Sequence, residues 1–206
     1  MTCYEIWNLI IQSGVAIGTL MAAVFALIIA IWGDRMRSWG FGPVLKLTLL
    51  RAEGERNDLN DGRLCRNYHL CVTNSRKRAP AHNVQVFLTK MFRPAADGSL
   101  VDRSFSGPLQ LTWQFPEYHP QALLVGPARV CDLGRIIKDN PFELMLYFTP
   151  NSFEKHVSSN QKIQVEIIAV ADNAESDPIR IEISWDGNWH DDTIEMSHNL
   201  VIKEVV

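Results

Sequence analysis

The stretch Leu9–Trp32, LIIQSGVAIGTLMAAVFALIIAIW, carries no charged residue over 24 positions. As a helix rising 1.5 Å per residue it covers about 36 Å, enough to cross a ~30 Å hydrocarbon core. Trp7 precedes the run and Trp32 closes it, with Tyr4 and Trp39 further out. Indoles settle at headgroup level, so the two tryptophans read as interfacial belts. A cleaved signal sequence needs a basic start, a hydrophobic run of roughly 7–15 residues and a small-residue cleavage site. Here the start is MTCYEIWN, without Lys or Arg, and the run ends in IIAIWGD. A buried helix of a soluble protein is seldom so long and so uniformly apolar. The expectation is an uncleaved transmembrane helix.

Flanking charge sets the expected orientation. No Lys or Arg precedes the helix, whereas Arg35, Arg37, Lys46 and Arg51 follow it. The positive-inside rule then places the N-terminus outside and everything after the helix in the cytoplasm. Cysteine usage agrees. Cys65 and Cys71 fall in one strand, about 20 Å apart, too far to bridge each other. Cys131 can in principle pair with either, and Cys3 lies apart. Unpaired thiols in a reducing compartment are the simplest reading.

Small residues recur at every fourth position of the helix: Gly14, Gly18, Ala22, Ala26 and Ala30. Residues four apart share a helix face, and Gly14–Gly18 is a literal GxxxG, so this stripe lets two helices approach closely in lipid. The plainer account is that Gly and Ala are common in membrane helices. Gln12, Ser13 and Thr19 can hydrogen-bond between helices, but Gln12 and Thr19 alone are little basis for a polar conduit. The expected associations are with the bilayer and with further copies of the chain.

From Pro43 the period changes to two. Val44–Leu50, Tyr68–Asn74, Val84–Phe92, Leu109–Phe115, Ala128–Leu133, Phe142–Phe148, Lys162–Ala169, Ile179–Trp185 and Leu200–Val206 read as strands. ERNDLNDGR (55–63), 74–83, 94–98, 171–178 and Asp186-Gly-Asn188 read as loops or turns. Prolines 116, 120 and 127 punctuate an irregular connection. No amphipathic helix of any length is visible. The chain thus divides into a short N-terminal tail (1–8), a transmembrane helix (9–32), a juxtamembrane linker (33–42) whose glycines and charges argue against a helical stalk, and an antiparallel all-β domain (43–206), a sandwich or barrel.

Within that domain, Leu70-Cys-Val-Thr-Asn74, Ala79-Pro-Ala81 and Asn83-Val-Gln-Val-Phe-Leu88 resemble the pattern V-x-N-x-G…A-x-x-V-x-V of immunoglobulin-like adhesion modules, where it marks strands B and C. The resemblance covers about 20 residues and implies an immunoglobulin-like β-sandwich. The glycine usual after the Asn is missing, and Ser75-Arg-Lys-Arg78 stands there instead. The whole chain also resembles small bacterial proteins with one N-terminal helix and a β domain, some of them in phage-defence operons. That likeness implies a bacterial inner membrane and carries no functional residue over.

Arg76, Lys77 and Arg78 form the only dense basic run and are the candidate contact for an anionic headgroup, against the plainer reading of a solvated loop. With a formal charge of −3 and a pI near 6.1, no nucleic-acid partner is expected. Asp186, His190, Asp191, Asp192 and His198 lack the tight ligand spacing of a metal site, and Asp172, Glu175 and Asp177 read as an inter-strand loop, so no metal is expected. Trp113, Trp185 and Trp189 suit either a ligand groove or the core. There is no G-x-S-x-G and no Gly-rich phosphate loop, and so no cofactor. An enzyme would have to assemble distant groups such as His69, Asp132 and His190. The reading is a membrane-anchored, non-enzymatic binding module for a protein or small ligand. The alternative is a membrane-disrupting effector of a bacterial defence system, activated when its helices cluster.

Overall fold

The structure, a computed structural model, describes residues 3–75, 78–95, 97–103, 107–115, 122–123 and 128–205. Its contacts divide the chain into Met1–Gly42 and Pro43–Val206.

The first unit is one helix, α1 (Cys3–Phe41), 39 residues long. Its apolar part, Ile6–Gly33, has a mean hydropathy of 2.6 and is not buried against any other part of the protein. Those 28 residues are long and apolar enough to cross a membrane. The helix exceeds expectation at both ends. It includes most of the supposed tail and runs through the supposed linker. Gly33 and Gly40 each cost a helix only about 1 kcal/mol relative to alanine, and nothing between them breaks it. The stop comes at Pro43, which disfavours helical backbone at the residue before it and cannot donate to a helical carbonyl.

The second unit is built from β1 (Leu45–Leu49), β2 (Glu55–Asp58), β3 (Leu64–Asn74), β4 (Ala81–His82), β5 (Gln85–Pro94), β6 (Leu100–Asp102), β7 (Leu109–Gln110), β8 (Ala122–Leu123), β9 (Arg129–Ile137), β10 (Phe142–Leu144), β11 (His156–Val157), β12 (Gln161–Ala171), β13 (Ala174–Glu175), β14 (Ile179–Trp185), α2 (Thr193–Asn199) and β15 (Leu200–Val205). One sheet has the order β1-β3-β9-β10-β11, with β2 also on β3. The other has the order β15-β14-β12-β5-β6, with β13 on β12 and β7 on β5. A separate pair joins β4 and β8. Every pairing in the two large sheets is antiparallel.

The sheets share one core. Ile163, Val165, Ile167 and Ala169 of β12 are fully buried, in one cluster with Ile181 and Ile183 of β14, and with Tyr68, Leu70 and Val72 of β3. This is the alternation seen in the sequence, every second side chain pointing inward. Two bulges keep the inward row apolar where strict alternation would fail. On β5 the register passes from Leu88↔Ile167 to Lys90↔Glu166, leaving Thr89 unpaired, so Met91 and not Lys90 is the next core residue. On β9 it passes from Asp132↔His69 to Gly134↔Tyr68, leaving Leu133 as the extra residue, and Ile136 continues the core row. The segment after β7 crosses between sheets. Leu109 pairs with Leu88, whereas Leu111 bridges Leu146 and Trp113 bridges Cys131.

Several local expectations are corrected. The loop read at 55–63 contains β2, because β3 begins at Leu64 and its early residues need a partner. The strong strand read at Phe142–Phe148 keeps only three ladder residues, and the weak one at Ala128–Leu133 is a long inner strand between β3 and β10. The short helix α2 lies where only an acidic and histidine-rich stretch was visible. Cys65, Cys71 and Cys131 are free and buried. Cys131 packs in the core opposite Leu70, on the other face of the sheet from Cys71.

The outer faces are held by ion networks. Glu166 meets Lys90 (2.9 Å) and Arg180 (3.3 Å), Glu182 meets Lys162 (3.3 Å) and Lys203 (3.2 Å), and Glu143 meets Arg135 (2.6 Å) and Lys155 (3.1 Å). Hydrogen bonding from Lys90 holds the Glu166 carboxyl below the ordinary glutamate value. Burial pushes Glu182 and Glu143 up, but their hydrogen-bond donors outweigh it and both also end low. A depressed carboxyl contributes stability that is present above its unfolded value and is lost as pH falls through the folded one. Acid titration of unfolding should therefore show stability declining below about pH 4.5, with a shallower decline in Glu143→Gln. Glycines give a second check. A Cβ on Gly134 would overlap the Phe142 ring and lie 2.6 Å from the Glu143 carbonyl oxygen, whereas Gly62, at φ +80°, has nothing within 4 Å. Denaturant unfolding should show Gly134→Ala losing about 2–3 kcal/mol from overpacking and Gly62→Ala only about 1 kcal/mol from its left-handed backbone.

Candidate functional site

Gly14, Gly18, Ala22 and Ala26 are exposed and follow one another at four-residue steps along α1, and nothing stands within 4 Å of a Cβ built on either glycine. Thr19 donates its hydroxyl to the Val15 carbonyl at 2.8 Å, so that proton is spent inside the helix. Arg76 and Lys77 lie outside the described residues. Arg78 is half-buried beside Ala79. The two ends of that loop are tied to the start of the domain. Val44 N donates to Asn74 Oδ1 (3.1 Å), Ser75 N to Val44 O (3.0 Å), and Asn74 Nδ2 to Ala79 O (2.8 Å). Asn74, Ser75 and Ala79 thus lie at the pole of the β domain where the chain enters it.

The opposite pole is built from other parts. The register carries β3 from Leu45↔Asn74 at the entry pole to Cys65↔Ile137 at the far one, a run of about 30 Å. There the β9–β10 turn, the β11–β12 turn and the loop between β14 and α2 surround adjoining concavities of about 210, 290 and 470 Å³. Positive-φ residues shape each turn: Asp139 (68°), Asn160 (58°) and Gly187 (102°). A Cβ on Gly187 would overlap the Ser159 hydroxyl, which donates to Asp186 O at 2.9 Å, so glycine lets these two turns touch.

Trp189 borders the two larger hollows and is fixed from several sides. Its indole N–H donates to Asp191 Oδ1 at 2.7 Å, and the guanidinium carbon of Arg66 lies 6.0 Å from its ring centroid. Arg66 is fully buried. It donates to the Asp191 carbonyl (2.9 Å) and the Thr193 hydroxyl (3.2 Å), while its Nε has no partner. Asp192 caps α2 by accepting from Ile194 N (2.8 Å) and Glu195 N (3.1 Å), and its own N–H donates to His190 Nδ1 (3.1 Å). In neutral His190 the proton is therefore assigned to Nε2. The indole N–H holds the Asp191 carboxyl below the ordinary aspartate value, and the backbone N–H groups of Glu195 and Ile194 do the same for Asp192.

The acidic and histidine-rich stretch is thus a capped turn, and its D-x-x-E spacing at Asp192–Glu195 is the sequence signal that marks the helix start. Of the three tryptophans, Trp113 and Trp185 are core residues and Trp189 is half-buried against the same core, while Trp185 and Trp189 both line one hollow. Among the described residues no group of three His, Cys, Asp or Glu is placed to hold a metal ion. Asp172 accepts from Asn83 Nδ2 (2.6 Å), tying the 171–178 loop to the 80–83 segment. His69 and Asp132 meet on neighbouring strands at 2.8 Å, with Glu55 3.8 Å from the other ring nitrogen. His190 belongs to the Trp189 loop instead.

No family model matches the chain, and no curated protein matches its sequence. Arg66 offers a direct check on the far-pole arrangement. Arg66→Met keeps the volume but removes both hydrogen bonds, each worth about 1.5–3 kcal/mol when the donor is charged. Hydrogen exchange should show the 189–193 amides losing protection, while β12 and β14 keep theirs.

Proposed function

We propose that this chain is a membrane-anchored, non-enzymatic binding module. Its helix spans the bilayer and self-associates along Gly14, Gly18, Ala22 and Ala26. Its β domain, an immunoglobulin-like sandwich, holds a protein or small ligand in the cytoplasm of a bacterial cell. The observation that carries this is the apolar stretch Ile6–Gly33 with no protein cover along it. Lipid supplies that cover, and the small-residue flank leaves room for a second helix.

Strand order supports the immunoglobulin-like part. Taking β1, β3, β5, β9, β12 and β14 as A, B, C, E, F and G, one sheet runs A-B-E and the other G-F-C. The chain departs from that plan in adding β15 beyond G and in leaving its cysteines unpaired. The N-out orientation is supported by Arg35 and Arg37 after the apolar stretch, and headgroup contact by the basic sequence of 76–78 directly after Ser75, whose N–H donates to Val44 O.

Cross-linking of the full-length protein in native membranes, wild type beside Gly14→Leu/Gly18→Leu, tests this reading. Wild type should run as an oligomer and the double variant as a monomer, because two leucines hold the backbones apart. If both run as monomers, self-association is overturned and α1 is a tether only. If the oligomer also makes cells leak and Gly18→Leu abolishes the leak, the membrane-disrupting effector replaces the binding module.

A further inference from the structure

We infer that the hollow beside Trp189 is a binding site for a neutral, polyhydroxylated ligand of the saccharide class. The inference rests on the binding-module reading and names where its ligand sits.

Three features of the hollow point there. The first is a rigid aromatic wall. Trp189 is held by the Asp191 carboxylate at its indole nitrogen and by buried Arg66 near its ring, so it loses little freedom when a ligand stacks on it. An aromatic face carries negative potential and takes the slightly positive C–H face of a sugar ring. The second is the set of polar groups left over. The side chains of Asn140, Asn188 and Ser158, and Nε2 of His190, have no hydrogen-bond partner among the described residues and line or adjoin the hollow. Amides and a hydroxyl both donate and accept, as a ring of sugar hydroxyls also does. On the outer faces of the sheets, by contrast, Glu143, Glu166 and Glu182 are engaged by neighbouring cations.

The third feature is charge. Lys138 stands against Asp139 and Asp191 in the lining, so the site lacks the excess positive charge that a phosphate or carboxylate ligand needs. A cationic ligand is disfavoured too. The Asp191 carboxylate is already engaged by the indole N–H, and the Arg66 guanidinium near the ring weakens its pull on a second cation. An apolar ligand would strand the amides unpaired. Position agrees with a ligand site, since the hollow opens at the pole of the β domain away from Pro43, the point of entry from α1.

The test uses the full chain in lipid nanodiscs with ¹⁵N-labelled tryptophan. The Trp189 indole resonance is assigned with Trp189→Phe. Methyl glycosides of neutral hexoses, pentoses and N-acetylhexosamines are titrated beside inorganic phosphate and tetramethylammonium. At least one glycoside should shift the Trp189 signal saturably. Asn188→Ala and Asp139→Asn should each weaken that binding about tenfold, while Lys203→Ala on the distant outer face leaves it unchanged. The proposal is overturned if no glycoside moves the signal, or if phosphate or tetramethylammonium moves it more strongly. A glycoside response that both lining variants leave intact also overturns it, by placing the ligand elsewhere. Cross-linking of wild type in the same preparation reports helix association separately, so the site can fail while the anchored oligomer stands.

Discussion

The inner face of β12 is the constraint on which the β domain depends. Ile163, Val165, Ile167 and Ala169 have no exposure at all, and they stay dry only while β14, β5 and the facing sheet supply apolar partners in step. A slip of one residue would turn each strand's inner row to solvent. The bulges at Thr89 and Leu133 work within this rule. Each adds one residue, so that Met91 and Ile136 return to the core where simple alternation would present Lys90 and Arg135. Gly134 belongs to the same device, since the chain passes so close to Phe142 there that a methyl group does not fit.

With the apolar side chains committed inward, the outer faces are left to charge. Glu143, Glu166 and Glu182 each collect more than one cation and sit below their ordinary titration range. Such pairs are individually weak near solvent. The far pole differs. Buried Arg66 is used to hold a loop, by a backbone carbonyl and a hydroxyl, and beside Trp189 the side chains of Asn140 and Asn188 have no partner among the described residues. An arginine in that position contributes geometry more than net stability, because its desolvation offsets much of what its hydrogen bonds return.

The helix follows a different rule. Every described side chain from Ile10 to Trp32 is exposed, and the stretch is long and apolar enough to cross a membrane. Its backbone bonds lie within the helix, which continues past Gly33 to Phe41. Its small-residue flank, Gly14, Gly18, Ala22 and Ala26, is exposed, and nothing stands within 4 Å of a Cβ built on either glycine.

Uncharged length alone marked the long apolar helix, and alternation alone marked β12 and β14, because those signals come from each segment's own solvent preference. The entry-pole position of Asn74 and Ser75 was not readable, since it follows from their bonding to a residue some thirty positions earlier. Strand β2 and helix α2 were hidden for a related reason: both are short and polar, and each exists because a neighbour completes it, β3 for one and the Arg66 and Asp192 contacts for the other. The hollow at Trp189 was still further from view. Its walls come from turns around positions 139, 159 and 188, each unremarkable in sequence, and only the packing of both sheets on one core brings them together. Sequence by itself determined which segments are apolar and with what period, since that is local chemistry. Tertiary structure decided which polar groups remain unpaired and where, since pairing belongs to two segments at once.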